Sequence, residues 1–381
     1  MAVVPSLYNI FTGNFENKAI PRDKLDSPSH LHLVAGLFIY NPELRKFLVQ
    51  QRASSKHTFP EHFTDSASGH VKACKSMTID TIKAEMCREL HEEMGITANP
   101  EHLRLWTLFQ DPVMNEIKFI FVGKSTTITL RLELAEVTTR SRWYSAEELE
   151  HLLKSEKFVF PVGGLWEILI KAEHRFDRFY DGLDGWQAYR KWTTGLKRFH
   201  DWISSSKKPA RVPLFLGRFQ PFHLGHLKCL QRIRETSKDV IIGIGSAQYS
   251  RDSRNPLTYP EREAIITQSI EDAKLGFDHV FFVPVPDVHS EDLWMQNVKL
   301  LLGNDILLYS NNDWVRGLAE KTGIAVGEKF QFAMDRLNGT RIRELIRDGG
   351  DWQSSVPPSC AVYLQKKRLV EDIKKAMQDI G

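Results

Sequence analysis

The stretch GRFQPFHLGH at residues 217–226 indicates how the C-terminal half folds. It follows PLFLG (213–217), a short apolar run typical of a buried strand, and it opens a segment with the apolar spacing of a helix. Three further apolar runs, DVIIGIGS, HVFFVPVP and DILLYSN, each precede a helical segment. Alternating strands and helices predict a doubly wound parallel sheet whose ligand lies at the carboxyl ends of the strands.

The same stretch has the chemistry of an anion site. Gly217 and Gly225 permit tight turns and a close backbone approach. His223 and His226 are three residues apart, so they share one face of the first helical turn, where unpaired N–H groups and the helix dipole favour anions. Arg218 adds a permanent cation with forked donors. Together these features predict that the segment binds phosphate groups.

Composition excludes several classes of protein. The chain has 381 residues, 42% apolar and 26% charged, with a formal net charge of +3. This composition indicates a globular protein and is too weakly basic for a nucleic-acid platform. No run reaches about 18 apolar residues, so no membrane span is expected. Four cysteines without a C-x-x-C pair, and no secretory signal, favour a cytoplasmic location. Whether the protein is a homo-oligomer stays open.

The N-terminal half has a mixed pattern of strands and helices, which predicts an α+β domain. SSSKKPARVP (204–213) combines small polar residues, a basic cluster and two prolines, as linkers often do. An amphipathic helix is predicted just ahead of it. The expected organisation is an N-terminal domain over 1–184, a helical connector and basic linker over 185–211, and a second domain over 212–381.

Four glutamates point to a divalent cation. Glu85, Glu89, Glu92 and Glu93 fall at i, i+4, i+7 and i+8, so they share one face of a predicted helix over 78–94. Like charges at this spacing disfavour a helix, and a hard cation with oxygen ligands relieves the repulsion. A solvated acidic face is the alternative reading of the same pattern.

The C-terminal half resembles archaeal-type nicotinamide mononucleotide adenylyltransferases, within the Rossmann-like nucleotidyltransferase superfamily that carries an H-x-G-H signature. Further matching stretches follow in the expected order over about 212–360. They are IIGIGSAQ (241–248), NPLTYPER (255–262), VPVPDVHSEDLW (283–294), NGTRIREL (338–345) and GGDW (349–352).

The resemblance implies transfer of AMP from ATP, a substrate, to nicotinamide mononucleotide, giving NAD and pyrophosphate. The catalytic residues would be Arg218, His223, His226 and Arg343. Another phosphate acceptor, such as nicotinate mononucleotide or pantetheine phosphate, stays open. The remaining ATP-binding residues would be Gly217, Phe219, Gln220, Gly225, Asn338, Gly339 and Thr340. The residues of the acceptor pocket would be Asp287, Trp294 and Asn255.

The N-terminal half resembles Nudix proteins related to isopentenyl-diphosphate isomerase, through SGHV (68–71) and RELHEEMGI (88–96). The resemblance implies that Glu89, Glu92 and Glu93 bind Mg²⁺ or Mn²⁺ for hydrolysis of a nucleoside diphosphate derivative such as ADP-ribose.

The sequence departs from that pattern in several places. Lys75 replaces a glutamate of the usual box, and the box is lengthened. A non-catalytic sensing or structural module is therefore the alternative. Ser68 and Leu25 stand where the isomerases carry a cysteine and a histidine, which argues against isomerase activity. His32 and His70 are expected to have packing or polar roles, with metal ligation as the alternative.

Overall fold

The structure, a computed structural model, places the chain in two compact units. The N-terminal unit comprises residues 1–181 and 288–290, and the C-terminal unit comprises 182–287 and 291–381. None of the helices in the described part of the chain is long and apolar enough to cross a membrane. The described residues are 7–9, 14–16, 32–72, 78–111, 116–183, 185–205, 209–288, 290–330 and 337–378, with only the backbone described for 7–9, 14–16, 110–111, 185–193, 205 and 300.

A mixed sheet forms the centre of the N-terminal unit, and eight strands of it lie within the described residues. The longest strand, β3, pairs in parallel with β7 and antiparallel with β4 and β5. Its residues are almost all buried, as expected for a strand covered on both faces. The strands are β1 (Leu7–Asn9), β2 (Asn14–Glu16), β3 (His32–Asn41), β4 (Lys46–Val49), β5 (Ala67–His70), β6 (Arg104–Asp111), β7 (Glu116–Lys124) and β8 (Arg142–Tyr144).

Helix α1 (Ile79–Met94) carries the predicted acidic face. It begins at Thr78, whose side chain accepts a hydrogen bond from the Thr81 N–H, and it ends at Gly95 in the left-handed conformation (φ 71°). Ile82 and Met86 bury its apolar face. The other helices of this unit are α2 (Ala146–Ser155), α3 (Val162–Ala172) and α4 (Phe176–Asp181).

The C-terminal unit contains the predicted parallel sheet, with the strand order β11-β10-β9-β12-β13. The chain runs outward from β9 through β10 to β11 and then returns to the other side of β9 with β12. The order therefore reverses beside β9, the strand that leads into residues 217–226. The strands are β9 (Val212–Gly217), β10 (Asp239–Gly245), β11 (His279–Val285), β12 (Ile306–Tyr309) and β13 (Ala325–Val326).

Helices cover this sheet, and α5, the predicted connector helix, packs on β11. A Cβ added at Gly195 would lie 2.2 Å from the Phe282 carbonyl oxygen, so the backbones approach closely there. Phe199 is fully buried, with its ring 5.6 Å from that of Phe281. The helices are α5 (Gly185–Ser205), α6 (Leu224–Thr236), α7 (Tyr259–Asp272), α8 (Glu291–Leu302), α9 (Asp313–Lys321), α10 (Gly339–Asp348), α11 (Pro358–Lys366) and α12 (Leu369–Gln378).

Candidate active sites

Two histidines cap the start of α6 reciprocally. The backbone N–H of His226 donates to Nδ1 of His223 (3.3 Å), and the N–H of His223 donates to Nδ1 of His226 (3.2 Å). The rings stack at a centroid separation of 3.5 Å. Because each Nδ1 accepts a hydrogen bond, the proton of each neutral ring is on Nε2.

The surroundings keep both rings neutral. Burial lowers the pKa of His223 to about 4. Burial, and then the charge of His223, lowers the pKa of His226 well below its usual value. At neutral pH the pair therefore offers two Nε2–H donors without positive charge, at the N-terminus of a helix whose dipole favours anions.

Arg343 approaches the same place from α10. Its guanidinium donates to the Gln220 carbonyl oxygen (2.8 Å) and to the Thr340 hydroxyl (3.2 Å). The side chain is 4% exposed, and its Nε has no partner among the described residues. Burial, followed by repulsion from Arg218, lowers the pKa of Arg343 to about 10. Two neighbouring guanidiniums with an unused buried donor form a site that an anion would complete.

Close backbone packing brings the starts of α6 and α10 together. Asn338 caps α10 by accepting a hydrogen bond from the Arg341 N–H (2.8 Å). A Cβ added at Gly339, the next residue, would lie 2.9 Å from the Gln220 carbonyl oxygen. A Cβ added at Gly225 would lie 3.5 Å from Leu337 Cβ. The positive ends of two helix dipoles thus converge at the carboxyl edge of the sheet.

Arg262 holds the backbone at this edge of the sheet in place, although it was not among the predicted site residues. It is fully buried, and its guanidinium donates to the carbonyl oxygens of Arg218 (3.0 Å), Gly245 (2.7 Å) and Ser246 (3.3 Å). Its Nε also donates to the Thr258 carbonyl (3.3 Å). The signal was its place in the stretch NPLTYPER, but only burial shows that the side chain points inward.

Two of the predicted ATP-binding side chains, Phe219 and Gln220, make contacts that stabilise the loop after β9. The Gln220 amide donates to the Leu257 carbonyl (2.9 Å) and accepts from the Leu257 N–H (3.0 Å). The Phe219 ring is 1% exposed and packs against His226 at 4.9 Å. The Gln220 backbone oxygen, rather than the side chain, contacts Arg343. Gly217 ends β9, and Thr340 and Arg218 are exposed.

Asp287 follows β11 beside the phosphate residues. Its backbone N–H and carbonyl pair with the Gln248 amide (3.1 and 2.8 Å), so Gln248 holds the loop in place. Burial raises the pKa of the Asp287 carboxyl, opposed by a hydrogen bond from Ser246 and by the charge of Arg218. A carboxylate is thus held next to the predicted phosphate site.

The other predicted acceptor residues lie in the loops and helix starts of the same unit. Asn255 is 6% exposed and donates weakly to Asp252, and its side-chain oxygen has no partner among the described residues. Trp294 is 9% exposed and stacks on Trp314 at 5.6 Å. Trp314 belongs to none of the predicted motifs.

In the N-terminal unit, Arg88 gathers the acidic face of α1. Its guanidinium donates to Glu85 (2.6 and 3.0 Å) and also to Glu89 and Glu92. A Cβ added at Gly69 would lie 3.8 Å from the Glu89 carboxyl carbon, so the two halves of the predicted Nudix box meet here. The acidic face is therefore neutralised by an arginine rather than fully solvated.

Glu93 turns away from that arginine into the interior. It is 7% exposed and accepts a hydrogen bond from the Gln50 amide (2.8 Å). Burial, with a further contribution from the Glu89 charge, raises its pKa to about 7. Asp65 is 3% exposed, and burial likewise raises its pKa to about 7. These carboxyls are costly to ionise unless a cation is close.

No group of three or more His, Cys, Asp or Glu side chains is arranged to hold a metal within the described part of the chain. The predicted triad of Glu89, Glu92 and Glu93 therefore stays a prediction. His32 is buried, and His70 lies 3.7 Å from Glu116, consistent with the expected packing and polar roles. Lys75, where the sequence departs from the Nudix box, and Leu25, one of the positions that argue against isomerase activity, lie outside the described residues.

Each half of the chain matches the model of a known protein family. The Nudix domain model matches residues 30–161, and the cytidylyltransferase-like model matches residues 214–345. The nicotinamide-nucleotide adenylyltransferase of Thermococcus kodakarensis is 35% identical over 161 residues, 42% of this chain and 86% of that relative. That of Methanosphaerula palustris is 34% identical over 167 residues, 44% of this chain and 96% of that relative.

Among solved structures, a bifunctional NMN adenylyltransferase/ADP ribose pyrophosphatase from Francisella tularensis is 20% identical, with a TM-score of 0.36. The match covers 43% of this chain and 52% of that chain. From the curated relatives and the two family models, the chain belongs to the nicotinamide-nucleotide adenylyltransferase family and also contains a Nudix domain.

Proposed function

We infer that the C-terminal unit transfers the AMP group of ATP to nicotinamide mononucleotide, giving NAD and pyrophosphate. The observation that carries this is buried Arg343, whose Nε has no partner among the described residues. Its guanidinium is repelled by the Arg218 charge and donates to the Gln220 carbonyl, three residues before His223. A triphosphate supplies the negative charge that balances the two arginines, Arg218 and Arg343. The relatives named above are adenylyltransferases for this acceptor.

The reaction needs no covalent enzyme intermediate. A 5′-phosphate oxygen of the mononucleotide attacks the α-phosphorus of ATP in line, and the bond to the β-phosphate oxygen breaks to release pyrophosphate. The nucleophile is already anionic, so the protein needs no strong general base. Catalysis is then positioning and neutralisation of charge on the transferring phosphoryl group.

The histidines and arginines of the site bind the phosphates and neutralise their charge in that scheme. The Nε2–H groups of His223 and His226 donate to phosphate oxygens, and they do so as neutral rings because burial depresses their pKa values. Arg218 and Arg343 neutralise the departing pyrophosphate. Mg²⁺ bound to the phosphates of ATP would add positive charge at the same place.

The remaining predicted residues complete the two nucleotide sites. Asp287, Trp294 and Asn255 are proposed to contact the acceptor, and Asn338 with Thr340 the phosphates of ATP. Gly217, Gly225 and Gly339 are proposed to admit the phosphates close to the backbone. Phe219 and Gln220 are proposed to act through the shape of their loop.

The test incubates the full chain with ATP, Mg²⁺ and nicotinamide mononucleotide, and follows NAD and pyrophosphate by chromatography. Equal amounts of both products are expected, with loss of more than about a hundredfold in His226→Ala, which removes one donor. Lys228→Ala, an exposed residue of the same helix, is the matched control. Product only with nicotinate mononucleotide or pantetheine phosphate would overturn the acceptor. No product with any acceptor would overturn the transferase.

We also propose a second activity, metal-dependent hydrolysis of a nucleoside diphosphate derivative such as ADP-ribose, in the N-terminal unit. The observation that favours it is Glu93, a buried carboxyl with a raised pKa next to the Glu89 charge. Carboxylate oxygens are the ligands that Mg²⁺ and Mn²⁺ prefer, and Glu89, Glu92 and Glu93 would hold the ion. The ion would supply an activated water.

Hydrolysis of ADP-ribose with Mg²⁺ or Mn²⁺ tests this second activity. Glu92→Gln and Glu93→Gln should each abolish it, whereas Glu147→Gln, an exposed change on α2, should leave it intact. If wild type hydrolyses no diphosphate derivative, the unit is a sensing or structural module. Direct titration with Mn²⁺ distinguishes a metal site without hydrolysis from no metal site.

A cytoplasmic location remains our proposal. Cys87, Cys229 and Cys360 are free thiols, which suits a reducing compartment. A fluorescent fusion of the full chain would test it, and a signal confined to another compartment would overturn it.

A further inference from the structure

An aromatic cluster stands at the starts of two helices that follow strands of the parallel sheet. Trp294 lies in the first turn of α8, after β11, and Trp314 lies in the first turn of α9, after β12. The two indole rings stack at a centroid separation of 5.6 Å and an interplanar angle of 26°. Because parallel strands end at one edge, both helices start on the side where Arg218 and Asp287 lie.

The cluster contains one unused donor and one anchored acceptor. Trp294 Nε1 is buried and has no partner among the described residues. Glu291, one turn before Trp294 on α8, accepts a hydrogen bond from Trp314 Nε1 (2.9 Å) and so holds the exposed indole in place. Its other carboxylate oxygen makes no hydrogen bond to the described residues and can accept one from a ligand. An N–H donor and a carboxylate acceptor thus lie beside the same pair of rings.

This pairing matches a primary carboxamide, which accepts through its carbonyl oxygen and donates through its N–H₂ group. A carboxylate in the same position only accepts, and its charge opposes that of Glu291. We propose that Trp314 and Glu291, together with Trp294, make the acceptor site selective for nicotinamide mononucleotide over nicotinate mononucleotide. The proposal rests on the proposed adenylyltransferase and names the selectivity of its acceptor site.

The neighbouring charges also favour nicotinamide mononucleotide over nicotinate mononucleotide. The start of a helix by itself favours an added carboxylate. Here Asp292 fills that role on α8 and Asp313 on α9. Asp313 is itself paired with Lys329 (2.6 Å) and so does not face the rings as an unpaired charge. The cationic pyridinium ring of the nicotinamide nucleotide also gains from stacking on an indole.

The experiment compares kcat/KM for the two mononucleotides in the full chain at saturating ATP. Glu291→Gln keeps an acceptor for Trp314 but removes the charge, so the preference for nicotinamide should fall about tenfold, as expected for one charge pair near a surface. Trp314→Phe keeps a ring but loses its anchor and should raise KM for the mononucleotide more than for ATP. Asp313→Asn, a charge change of the same sign, should leave the ratio within about twofold.

The outcomes separate this inference from the proposed function. Product with both acceptors in an unchanged ratio in Glu291→Gln and Trp314→Phe would overturn the inference alone. A wild-type preference for nicotinate mononucleotide would overturn it as well. Absence of product with either acceptor would overturn the transferase and with it the inference. An unchanged KM for ATP and an unchanged melting temperature in each variant would show that the effect is confined to the acceptor.

Discussion

Arg262→Lys tests how the phosphate site is supported. The buried guanidinium donates to four backbone carbonyls: those of Arg218, Gly245, Ser246 and Thr258. Arg218 lies in the loop after β9, Gly245 and Ser246 lie at the end of β10 and just after it, and Thr258 caps α7, so one side chain joins three segments. A lysine keeps the charge but concentrates its donors at one point. It cannot reach all four oxygens.

The magnitude follows from the oxygens left without a donor. Each buried carbonyl that loses its partner costs about 1–3 kcal/mol, and lysine leaves one or two of the four in this state. A loss near 3 kcal/mol lowers the melting temperature of a unit of this size by roughly 6–12 °C. Because a misplacement of about 1 Å costs up to about a hundredfold in rate, kcat/KM for ATP should fall between about tenfold and a hundredfold.

Scanning calorimetry of the full chain measures the stability, and the transition that ATP shifts upward identifies the C-terminal unit. Arg254→Lys is the matched control, since Arg254 is exposed in the loop before α7 and the change should stay within about 0.5 kcal/mol. If Arg262→Lys melts with wild type and keeps the wild-type ATP kinetics, the support that we assign to this side chain is refuted.

Burial makes the stability depend on pH at two sites, and a close backbone approach restricts a third position. Histidines in the unfolded chain have a pKa near 6.5, whereas burial lowers the pKa of His223 to about 4 and that of His226 well below its usual value. The stability that the two neutral rings contribute is therefore present above about pH 6.5 and is lost as pH falls toward 4, by at most about 1.4 kcal/mol per pH unit for each ring. Urea unfolding at a series of pH values should show this slope, and changing both histidines to asparagine should remove it. Asp65 has its pKa raised from 3.8 to about 7, so its contribution is present below about pH 4 and is lost as pH rises through 7; Asp65→Asn should therefore gain up to about 4 kcal/mol on wild type between pH 4 and pH 8, and an equal pH dependence of both would contradict this. Gly339→Ala places a Cβ 2.9 Å from a carbonyl oxygen and should cost about 1–3 kcal/mol and raise KM for ATP, whereas Gly317→Ala, with nothing within 4 Å, should be neutral or stabilising.

Local patterns predicted most of the C-terminal architecture correctly. Apolar runs of strand length between helical segments predicted the parallel sheet, because a strand buried on both faces requires such a run. The spacing of His223 and His226 predicted that both lie on the first turn of α6, since a helix brings residues three apart together. The resemblance to known families was confirmed for both halves.

Long-range contacts decided what the sequence left open. The acidic face of α1 was predicted, but the separation of Glu93 from the others depends on Gln50, which is distant in sequence. In the sequence Arg262 looks like an ordinary helix residue, and only the folded structure shows that it donates to carbonyls of β10 and of the loop after β9.

The order of residues was enough to predict where the motifs of the two domains lie, which segments form strands and helices, and that one strand-to-helix turn carries anion-binding groups. These properties depend on neighbours three or four residues apart, which the order of residues states directly. The folded structure was needed to find the lowered pKa of His223, the Arg343 Nε that has no partner among the described residues, and the stacking of Trp314 on Trp294. Each of these depends on burial and on partners from distant segments, and burial exists only once the chain has folded.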